Sequence, residues 1–256
     1  MARTRLDQTL VDRGVVSSLD QARKEILAGN VLVDERPGIR GPAKPSDGVG
    51  VEQVVRLRAA PRRFVSRGGL KLDAALDHFH VDPAGCVAMD LGASTGGFTD
   101  CLLQRGARRV YAVDVGTNQL AWSLRQDPRV VSLERTDARA VRLDEPVSLV
   151  VGDVSFISLA LILPAVARLL LERGHMASDN AARDAILLIK PQFEAPPGHV
   201  EPGGRVRDPA HRQAAIDGIL QAAAQGGLTV VGVMDSPVPG ARAGNIEALV
   251  HLIPPP

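Results

Sequence analysis

Residues 87–98 read VAMDLGASTGGF and decide the fold of most of the chain. An apolar run that suits a buried strand ends at Asp90-Leu91, a glycine-rich loop follows, and a helix is expected to begin at Phe98. Glycines in such a loop let a ligand approach the backbone closely. The loop lacks both the lysine of a phosphate-binding P-loop and the G-x-G-x-x-G spacing of a dinucleotide fold. It is therefore expected to bind a different kind of small molecule.

The acidic residue that opens this loop indicates the charge of its ligand. Asp90 disfavours a pyrophosphate and tolerates a cation, and S-adenosylmethionine carries a sulfonium, an ammonium and no phosphate. The next predicted strand leads to Asp114, placed to bond to a ribose diol, and Asp137 follows the third strand, where it can meet an adenine edge. A glycine-rich turn without a ligand and a solvated turn at Asp137 are the alternatives. The predicted cofactor contacts are Asp90, Gly92, Ala93, Ser94, Gly96, Gly97, Phe98, Asp114, Val115, Asp137 and Phe156.

Strands and helices alternate on both sides of this loop. The predicted strands are 86–91, 110–115, 130–133, 149–154, 185–190, 228–234 and 246–253, and the predicted helices are 70–79, 98–105, 120–125, 159–171 and 209–224. Nearly continuous apolar strands are typical of a parallel sheet covered on both faces. The pattern predicts a doubly wound α/β domain with a seven-stranded Rossmann-like sheet. One of the last two strands is expected to run antiparallel, and segments 172–184 and 195–208 are expected to be loops.

The first 58 residues show a different, α+β pattern. Helices are expected at 6–13 and from Ser18, where Gln21 has the spacing of a capping box. Strands are expected at 31–33, at Val49 and Val51, and at 54–57. So small a module favours a binding unit over a catalytic one. Residues 59–65, with Pro61 and paired arginines, are the predicted linker.

Charge is distributed unevenly along the 256 residues, whose net charge is +1. Residues 1–71 carry 14 basic and 8 acidic side chains, whereas the rest of the chain is net acidic. A basic module suggests a polyanionic partner, with an ordinary solvated surface as the alternative. Because aromatic residues make up only 3% of the chain, recognition of folded RNA by shape is expected rather than extensive base stacking.

Several classes of protein are excluded or disfavoured by composition. No apolar run approaches the roughly 20 residues that span a bilayer, and the N-terminus does not resemble a signal peptide. Cys86 and Cys101 have no metal-ligand spacing, so neither a zinc site nor a disulfide framework is expected, and a reducing cytoplasm fits best. The sequence thus predicts no membrane partner and no metal, and it leaves the oligomeric state open.

The chemistry of the acceptor is suggested by residues 152–156, GDVSF, at the end of the fourth predicted strand. Amino-methylating enzymes commonly place Pro-Pro-aromatic after the acidic residue, here Asp153, and a Pro-Cys nucleophile for carbon methylation is also absent. Oxygen is therefore the favoured acceptor. Lys190 closes the apolar fifth strand, which is costly unless the lysine is paired or reaches water. Glu247 and Lys71 carry no distinctive signal of their own.

Over nearly its whole length the sequence resembles the TlyA (haemolysin A) family, which joins an S4 RNA-binding domain to an FtsJ-like ribose 2'-O-methyltransferase domain. For the S4 domain the resemblance lies in TRLD at 4–7, SLDQA at 18–22 and GNV at 29–31. For the enzyme it lies in SRGGLKL at 66–72, DLGASTGGF at 90–98, DVG at 114–116, DVSFIS at 153–158 and KPQFE at 190–194.

The resemblance implies domains at 1–58 and 66–256, S-adenosylmethionine as cofactor, and methylation of cytidine in 16S or 23S rRNA, with ribosomal subunits as partners. It implies a catalytic tetrad of Lys71, Asp153, Lys190 and Glu247. The expected RNA contacts are Arg3, Arg5, Arg23, Lys24, Arg62, Arg63 and Arg67.

Three rival functions were weighed against this one. A membrane-lytic haemolysin, which the family's second name suggests, would need a spanning or strongly amphipathic cationic helix, and the sequence has neither. The intact tetrad argues against a silent ribosome-assembly factor. The basic N-terminal module argues against methylation of a small molecule or a protein.

Overall fold

The computed structural model describes residues 3–27, 30–35, 38–39, 44–57, 63–171, 183–196, 198–240 and 243–255. The chain divides into two compact units, residues 1–62 and 63–256. The expected domain boundaries stay a prediction, because residues 58–62, which hold most of the expected linker, lie outside the described part. Most of the expected loop at 172–184 also lies outside it.

The first unit combines two helices with short antiparallel strands. Its elements are β1 (Arg3–Arg5), α1 (Leu6–Asp12), α2 (Leu19–Leu27), β2 (Val31–Glu35), β3 (Gly38–Ile39), β4 (Gly48–Gly50) and β5 (Val54–Leu57). β1 pairs with β4, and β2 pairs with both β3 and β5. Leu6, Leu10 and Ile26 from the helices are buried against Val49 and Val55 from the strands.

Both helices of this unit are confirmed. The hydroxyl of Ser18 accepts a hydrogen bond from the Gln21 N–H at 3.2 Å, as expected for a helix cap. For the strands, one expectation is wrong and one strand was not predicted. Val51 lies in a turn, and β1, which the local pattern does not indicate, forms because its backbone pairs with the distant β4.

The second unit alternates helices and strands. Its elements are α3 (Gly68–Phe79), β6 (Val87–Leu91), α4 (Gly97–Gln104), β7 (Arg109–Val113), α5 (Trp122–Arg125), β8 (Val130–Leu133), β9 (Leu149–Gly152), a 3₁₀ turn (Leu159–Leu161), α6 (Leu163–Leu171), β10 (Asp184–Ile189), α7 (Pro191–Glu194), α8 (Pro209–Gln225), β11 (Thr229–Asp235) and β12 (Ala248–Ile253). The helix expected at 159–171 is split in two, because Pro164 has no N–H to donate to the preceding turn. The single turn α7 was not expected.

Seven strands of the described residues form one sheet in the order β11-β12-β10-β9-β6-β7-β8. The five strands from β8 to β10 run parallel, and β12 runs antiparallel to β10 and β11. The doubly wound α/β fold and the antiparallel strand near its end are thereby confirmed. The strand order changes direction at β6. At such a point α/β sheets bind ligands beside the carboxyl ends of their strands.

The sheet is covered on both faces, which explains why its strands are apolar throughout. Along β6, Val87, Met89 and Leu91 pack into one core, and Ala88 packs into the other. Helices α6 and α8 contribute to the first core, and α3 and α4 contribute to the second. Within the described residues, no helix is long and apolar enough to cross a membrane.

Candidate active site

A cavity of about 480 Å³ opens at the carboxyl ends of β6, β7 and β9. Gly92 has a φ of +80°, and a Cβ there would lie 3.1 Å from the Cα of Val154. This glycine therefore lets the loop after β6 pack against the loop after β9. Ser94 donates its N–H to Asp114 Oδ2 at 2.8 Å, and the N–H of Gly116 bonds to Oδ1 at 2.7 Å. The Asp114 carboxylate is thus fixed at the wall of the cavity.

The expected cofactor contacts divide into two groups. Six of them line this cavity, namely Gly92, Ser94, Asp114, Val115, Asp137 and Phe156. The other five, Asp90, Ala93, Gly96, Gly97 and Phe98, are buried around the loop and do not line the cavity. A Cβ on Gly96 would collide with the side chains of Leu120 and Leu124, so this glycine allows α4 and α5 to pack. The second group shapes the loop instead of facing the cavity.

Asp90 is the most deeply buried carboxyl group beside the cavity. Its Oδ2 accepts hydrogen bonds from the N–H and the hydroxyl of Thr99 at 2.9 and 2.7 Å. Its Oδ1 has no hydrogen-bond partner among the described residues. Burial raises the pKa of Asp90 to about 7, against the lowering effect of the Thr99 bonds. By contrast, the bond to Arg139 lowers the pKa of Asp137, at the cavity wall, to about 2.

Lys190 is held at the edge of this cavity by an ion pair. Its Nζ lies 2.6 Å from Asp153 Oδ1 and donates to Ser155 Oγ at 2.6 Å. A third contact, to the Asp153 carbonyl, is longer at 3.4 Å. Asp153 and Ser155 both line the cavity. The Lys190 ammonium therefore has one N–H that makes only a long, weak hydrogen bond, and it lies next to the cavity.

A second lysine–carboxylate pair, Lys71–Glu247, is almost completely buried. Lys71 Nζ lies 2.5 Å from Glu247 Oε2, and the two side chains are 9% and 3% exposed. Ile189 of β10 is paired with Ala248 of β12, so Lys190 and Glu247 stand opposite each other at one end of the two strands.

The first turn of α3 connects the two ion pairs. Lys71 projects from this turn, and a Cβ on Gly68 in the same turn would lie 3.6 Å from Asp153 Oδ2. Four charged groups scattered along the chain therefore gather around the first turn of α3 as two ion pairs, and Asp153 of one pair lines the cavity. The structure thus brings the four residues of the expected tetrad together, and their catalytic role stays a prediction.

Comparison with known proteins shows the family to which the chain belongs. The model of the FtsJ-like methyltransferase family matches residues 64–253. The 16S/23S rRNA (cytidine-2'-O)-methyltransferase TlyA of Mycobacterium tuberculosis is 45% identical over 98% of this chain and 90% of its own length. The chain belongs to the TlyA family of FtsJ-like methyltransferases.

Other relatives of the TlyA family chain point the same way. Hemolysin A of Brachyspira hyodysenteriae is 39% identical over 97% of this chain and 99% of its own. A solved structure, a candidate hemolysin from Streptococcus thermophilus, superposes with a TM-score of 0.69 at 39% identity and covers 100% of this chain and 90% of that one. A candidate RNA methyltransferase from Pyrococcus horikoshii, 15% identical with a TM-score of 0.50 over 76% of this chain and 89% of its own, shares the fold.

The basic residues expected to contact RNA have different surroundings in this TlyA family member. In the first unit, Arg5 and Arg23 both bond to the buried carboxylate of Asp7, at 2.8 and 3.4 Å. The bonds from Arg5 lower the pKa of Asp7 to about 2. Arg3 and Lys24 are exposed. Asp7 therefore orients two half-exposed guanidinium groups.

In the second unit, Arg63 forms an ion pair with Asp73 and lies over the ring of Phe64. Arg67 is exposed and donates to the carbonyl of Pro239 at 3.4 Å. Arg62 lies outside the described residues. The two described arginines therefore keep part of their guanidinium groups toward solvent while bonding within this unit.

Asn245, which lies near the site, was not predicted from the sequence. Asn245 is buried near Glu247 and donates from Nδ2 to Gln192 Oε1 at 2.9 Å and to the carbonyl of Gly204 at 2.8 Å. Its Oδ1 accepts the N–H of Val206 at 2.9 Å. A single amide thus joins its own loop to α7 and to the loop that contains Gly204 and Val206. No local pattern marks such a residue, because its partners lie far away in sequence.

Proposed function

We propose that this protein transfers a methyl group from S-adenosylmethionine to the ribose 2'-oxygen of a cytidine in 16S rRNA, 23S rRNA or both. The observation that carries the proposal is that two lysine–carboxylate pairs, Lys190–Asp153 and Lys71–Glu247, gather around the first turn of α3 with Asp153 in the wall of the cavity. Membership of the TlyA family and the printed activity of the Mycobacterium tuberculosis relative support the substrate.

The residues of the cavity fit this cofactor. A volume of about 480 Å³ lies within the range of small-molecule sites. Each oxygen of Asp114 accepts one backbone N–H and keeps a lone pair for a ribose hydroxyl. Ile157 and Ile162 give the cavity apolar walls. We assign Gly92, Ser94, Asp114, Val115, Asp137 and Phe156 to direct contact with the cofactor.

The chemical demand on the protein is modest. When bound, S-adenosylmethionine supplies a methyl group that its sulfonium already activates. The chain must hold a ribose oxygen in line with that methyl group and receive the hydroxyl proton. A ribose hydroxyl is a weak acid, so its proton leaves with or after the methyl transfer. Positioning and electrostatic stabilisation are therefore the main tasks of the side chains.

Lys190 is placed for these tasks. The ion pair with Asp153 is an interaction of the ammonium form, which donates hydrogen bonds and cannot accept a proton. We infer that Lys190 uses its weakly engaged N–H to orient the 2'-oxygen and to stabilise charge on it. It serves as the base only after giving a proton to water. Lys71 neutralises Glu247 nearby, so that this second carboxylate does not form a further ion pair with the Lys190 ammonium.

The first unit is proposed to supply RNA affinity as an S4-like domain. Arg3, Arg5, Arg23 and Lys24 would contact phosphates, which makes binding dependent on salt. The Asp7 carboxylate holds two of these side chains in fixed orientations before RNA arrives. Such preorganisation lowers the entropy cost of forming the contacts.

Mapping of ribose methylation tests the proposal. Ribosomal subunits from cells that lack this gene are incubated with the protein, and the rRNA is analysed by mass spectrometry. The wild-type protein should convert cytidine to 2'-O-methylcytidine. The methylation rate of Lys190→Ala should be lower by about 100-fold or more, while its affinity for S-adenosylhomocysteine should stay within about threefold of wild type. Arg109→Ala, at the opposite edge of the sheet, is the matched control and should stay active. A Lys190→Ala protein of near wild-type rate would refute the assigned mechanism.

A further inference from the structure

The loop between β9 and the 3₁₀ turn, residues 153–158, is fastened by the segment that follows β10. Its first end is held by Lys190, whose Nζ contacts Asp153 Oδ1 and Ser155 Oγ, both at 2.6 Å. All three residues belong to the candidate active site. The position of the lysine and the shape of this loop are therefore interdependent.

The other end of the loop is held by Glu194, at the end of the single turn α7. Its Oε2 accepts a hydrogen bond from the hydroxyl of Ser158 at 2.6 Å, and its Oε1 accepts one from the N–H of Leu159 at 2.8 Å. Ser158 Oγ in turn accepts the N–H of Ala160 at 3.2 Å. The carboxylate offers a separate oxygen to each donor, whereas a glutamine would present an NH2 group in place of one of these oxygens.

The turn α7 makes the two fastenings one unit. Pro191 opens it, the N–H of Phe193 bonds to the carbonyl of Lys190 at 2.9 Å, and the N–H of Ala195 bonds to the carbonyl of Pro191 at 2.8 Å. The spacing between Lys190 and Glu194 is thus set by one helical turn. A shift of the loop at Glu194 is transmitted to the contacts of the lysine.

The middle of the loop is strained. Phe156 has a φ of +65° and its side chain is 77% exposed. A residue other than glycine rarely adopts this conformation and keeps it where its surroundings hold it there. Its ring lies 5.5 Å from that of Phe193 on α7. The two fastened ends keep the loop in a conformation that it would otherwise leave.

We propose that Glu194 is a positioning residue for methyl transfer: by holding Ser158 and Leu159, it keeps Asp153 and Ser155 in contact with Lys190. The role rests on the proposed function, because it acts through the lysine of that site. Glu194 does not line the cavity. Its effect is expected on the rate of the chemical step and not on cofactor binding.

The burial of Glu194 is consistent with this role. Burial raises the pKa of the Glu194 carboxyl group, against the bonds from Leu159 and Ser158, which lower it. A partly buried carboxylate is expensive unless its bonds are made well. If burial of the loop were the only requirement, an apolar side chain at this position would stabilise it equally well. The carboxylate is therefore explained by its two hydrogen bonds.

The test compares Glu194→Gln, Ser158→Ala and the double variant in the full-length protein. Glutamine keeps one acceptor and turns an N–H toward the second donor, so one of the two bonds is lost. Each single variant should lower kcat by about tenfold, with KM for the ribosomal substrate and the dissociation constant of S-adenosylhomocysteine within about twofold. The double variant should lose less activity than the product of the two single losses, because Ser158 and Glu194 hold the same end of the loop. Ser158→Thr keeps the hydroxyl and should keep most of the activity.

A matched control separates positioning from general stability. Glu145→Gln weakens bonds of a partly buried glutamate to Arg109 and Tyr111 near the start of β7, and its kcat should not change. Hydrogen exchange of the Leu159 amide should accelerate in Glu194→Gln and stay unchanged in Glu145→Gln. An active wild type beside a Glu194→Gln protein of equal kcat would overturn the positioning role alone. Loss of cofactor affinity together with kcat would also overturn it. A wild type that methylates no RNA would remove the proposed function and this role with it.

Discussion

Lys71 and Glu247, 176 positions apart in the chain, form an almost completely buried ion pair with 2.5 Å between Nζ and Oε2. Removing two charges from water costs several kcal/mol each, and their attraction offsets this only with good geometry. Two apolar side chains would stabilise the same space at least equally well. The pair is therefore expected to be present for the chemistry of the site and not for stability.

Variants of this pair separate the two roles. Glu247→Leu or Lys71→Met alone leaves an unpaired buried charge and should lower the free energy of unfolding by roughly 3–5 kcal/mol. The double variant should recover most of that loss and still not methylate rRNA. Urea unfolding and a methylation assay on the same three proteins provide the measurement. Wild-type activity in the double variant would show that the pair has no part in catalysis.

Gly240 offers a second way to move Glu247 without removing it. A Cβ on Gly240 would lie 2.7 Å from Glu247 Oε1, so Gly240→Ala must displace the carboxylate or the loop. We expect kcat to fall by about tenfold with little change in cofactor affinity.

Gly218→Ala is the matched control for that change. Gly218 lies inside α8, and its Cβ would meet nothing within 4 Å. This substitution should leave kcat unchanged and stabilise the protein by roughly 0.5–1 kcal/mol, because alanine is the better helix former. Equal kcat values for the two alanine variants would show that the displacement of Glu247 does not matter.

The sheet could be predicted from the sequence because its signals are local. Apolar runs such as 149–154 and 185–190 identify strands by themselves, and the glycine-rich loop after β6 marks the edge of the sheet where the cavity opens. Asp114 and Asp153 could be placed at one edge of the sheet for the same reason, since each follows a parallel strand. These inferences need no knowledge of distant contacts.

The partners of the charged residues could not be predicted in this way. Glu247 has no distinctive surroundings in sequence, and only the resemblance to the TlyA family assigned it a role. Its pairing with Lys71 depends on β12 lying beside β10. Asn245 and Glu194 form hydrogen bonds to segments that are distant in sequence. Such bonds produce no repeating pattern from which they could be predicted. The roles of Asp90 and Gly96 depend on burial that the loop sequence alone does not reveal.

The arginines that flank Asp7 give a prediction for RNA binding. Arg5→Ala and Arg23→Ala should each reduce the slope of log affinity against log salt by about 0.7–0.9, since each is expected to release counterions from one phosphate. Arg13→Ala is the control, because this exposed arginine bonds to the carbonyls of Gly50, Val51 and Gln53 within its own unit. Binding to an rRNA fragment at several salt concentrations measures the slopes. Unchanged slopes for Arg5→Ala and Arg23→Ala would place the RNA elsewhere.

Asp90 gives a prediction for the dependence of stability on pH. Burial raises its pKa to about 7 in the folded protein, whereas an aspartate in an unfolded chain titrates near 4. Between these values the folded protein keeps a proton that the unfolded chain has released. The contribution of Asp90 to the free energy of unfolding must therefore fall as the pH rises from about 4 to about 7. Above that range this contribution no longer changes.

Asp90→Asn isolates this contribution. Asparagine has nearly the same shape, its amide oxygen can accept both bonds from Thr99, and it does not ionise in either state. Between pH 5 and pH 8 the free energy of unfolding of the wild type should therefore fall by roughly 2–4 kcal/mol relative to that of Asp90→Asn. This figure corresponds to about 1.4 kcal/mol for each unit of pKa shift. Other titrating groups are common to both proteins, so they cancel in the difference between two urea-unfolding series. Parallel pH profiles would mean that Asp90 is ionised in the folded protein and that a group still to be identified balances its charge.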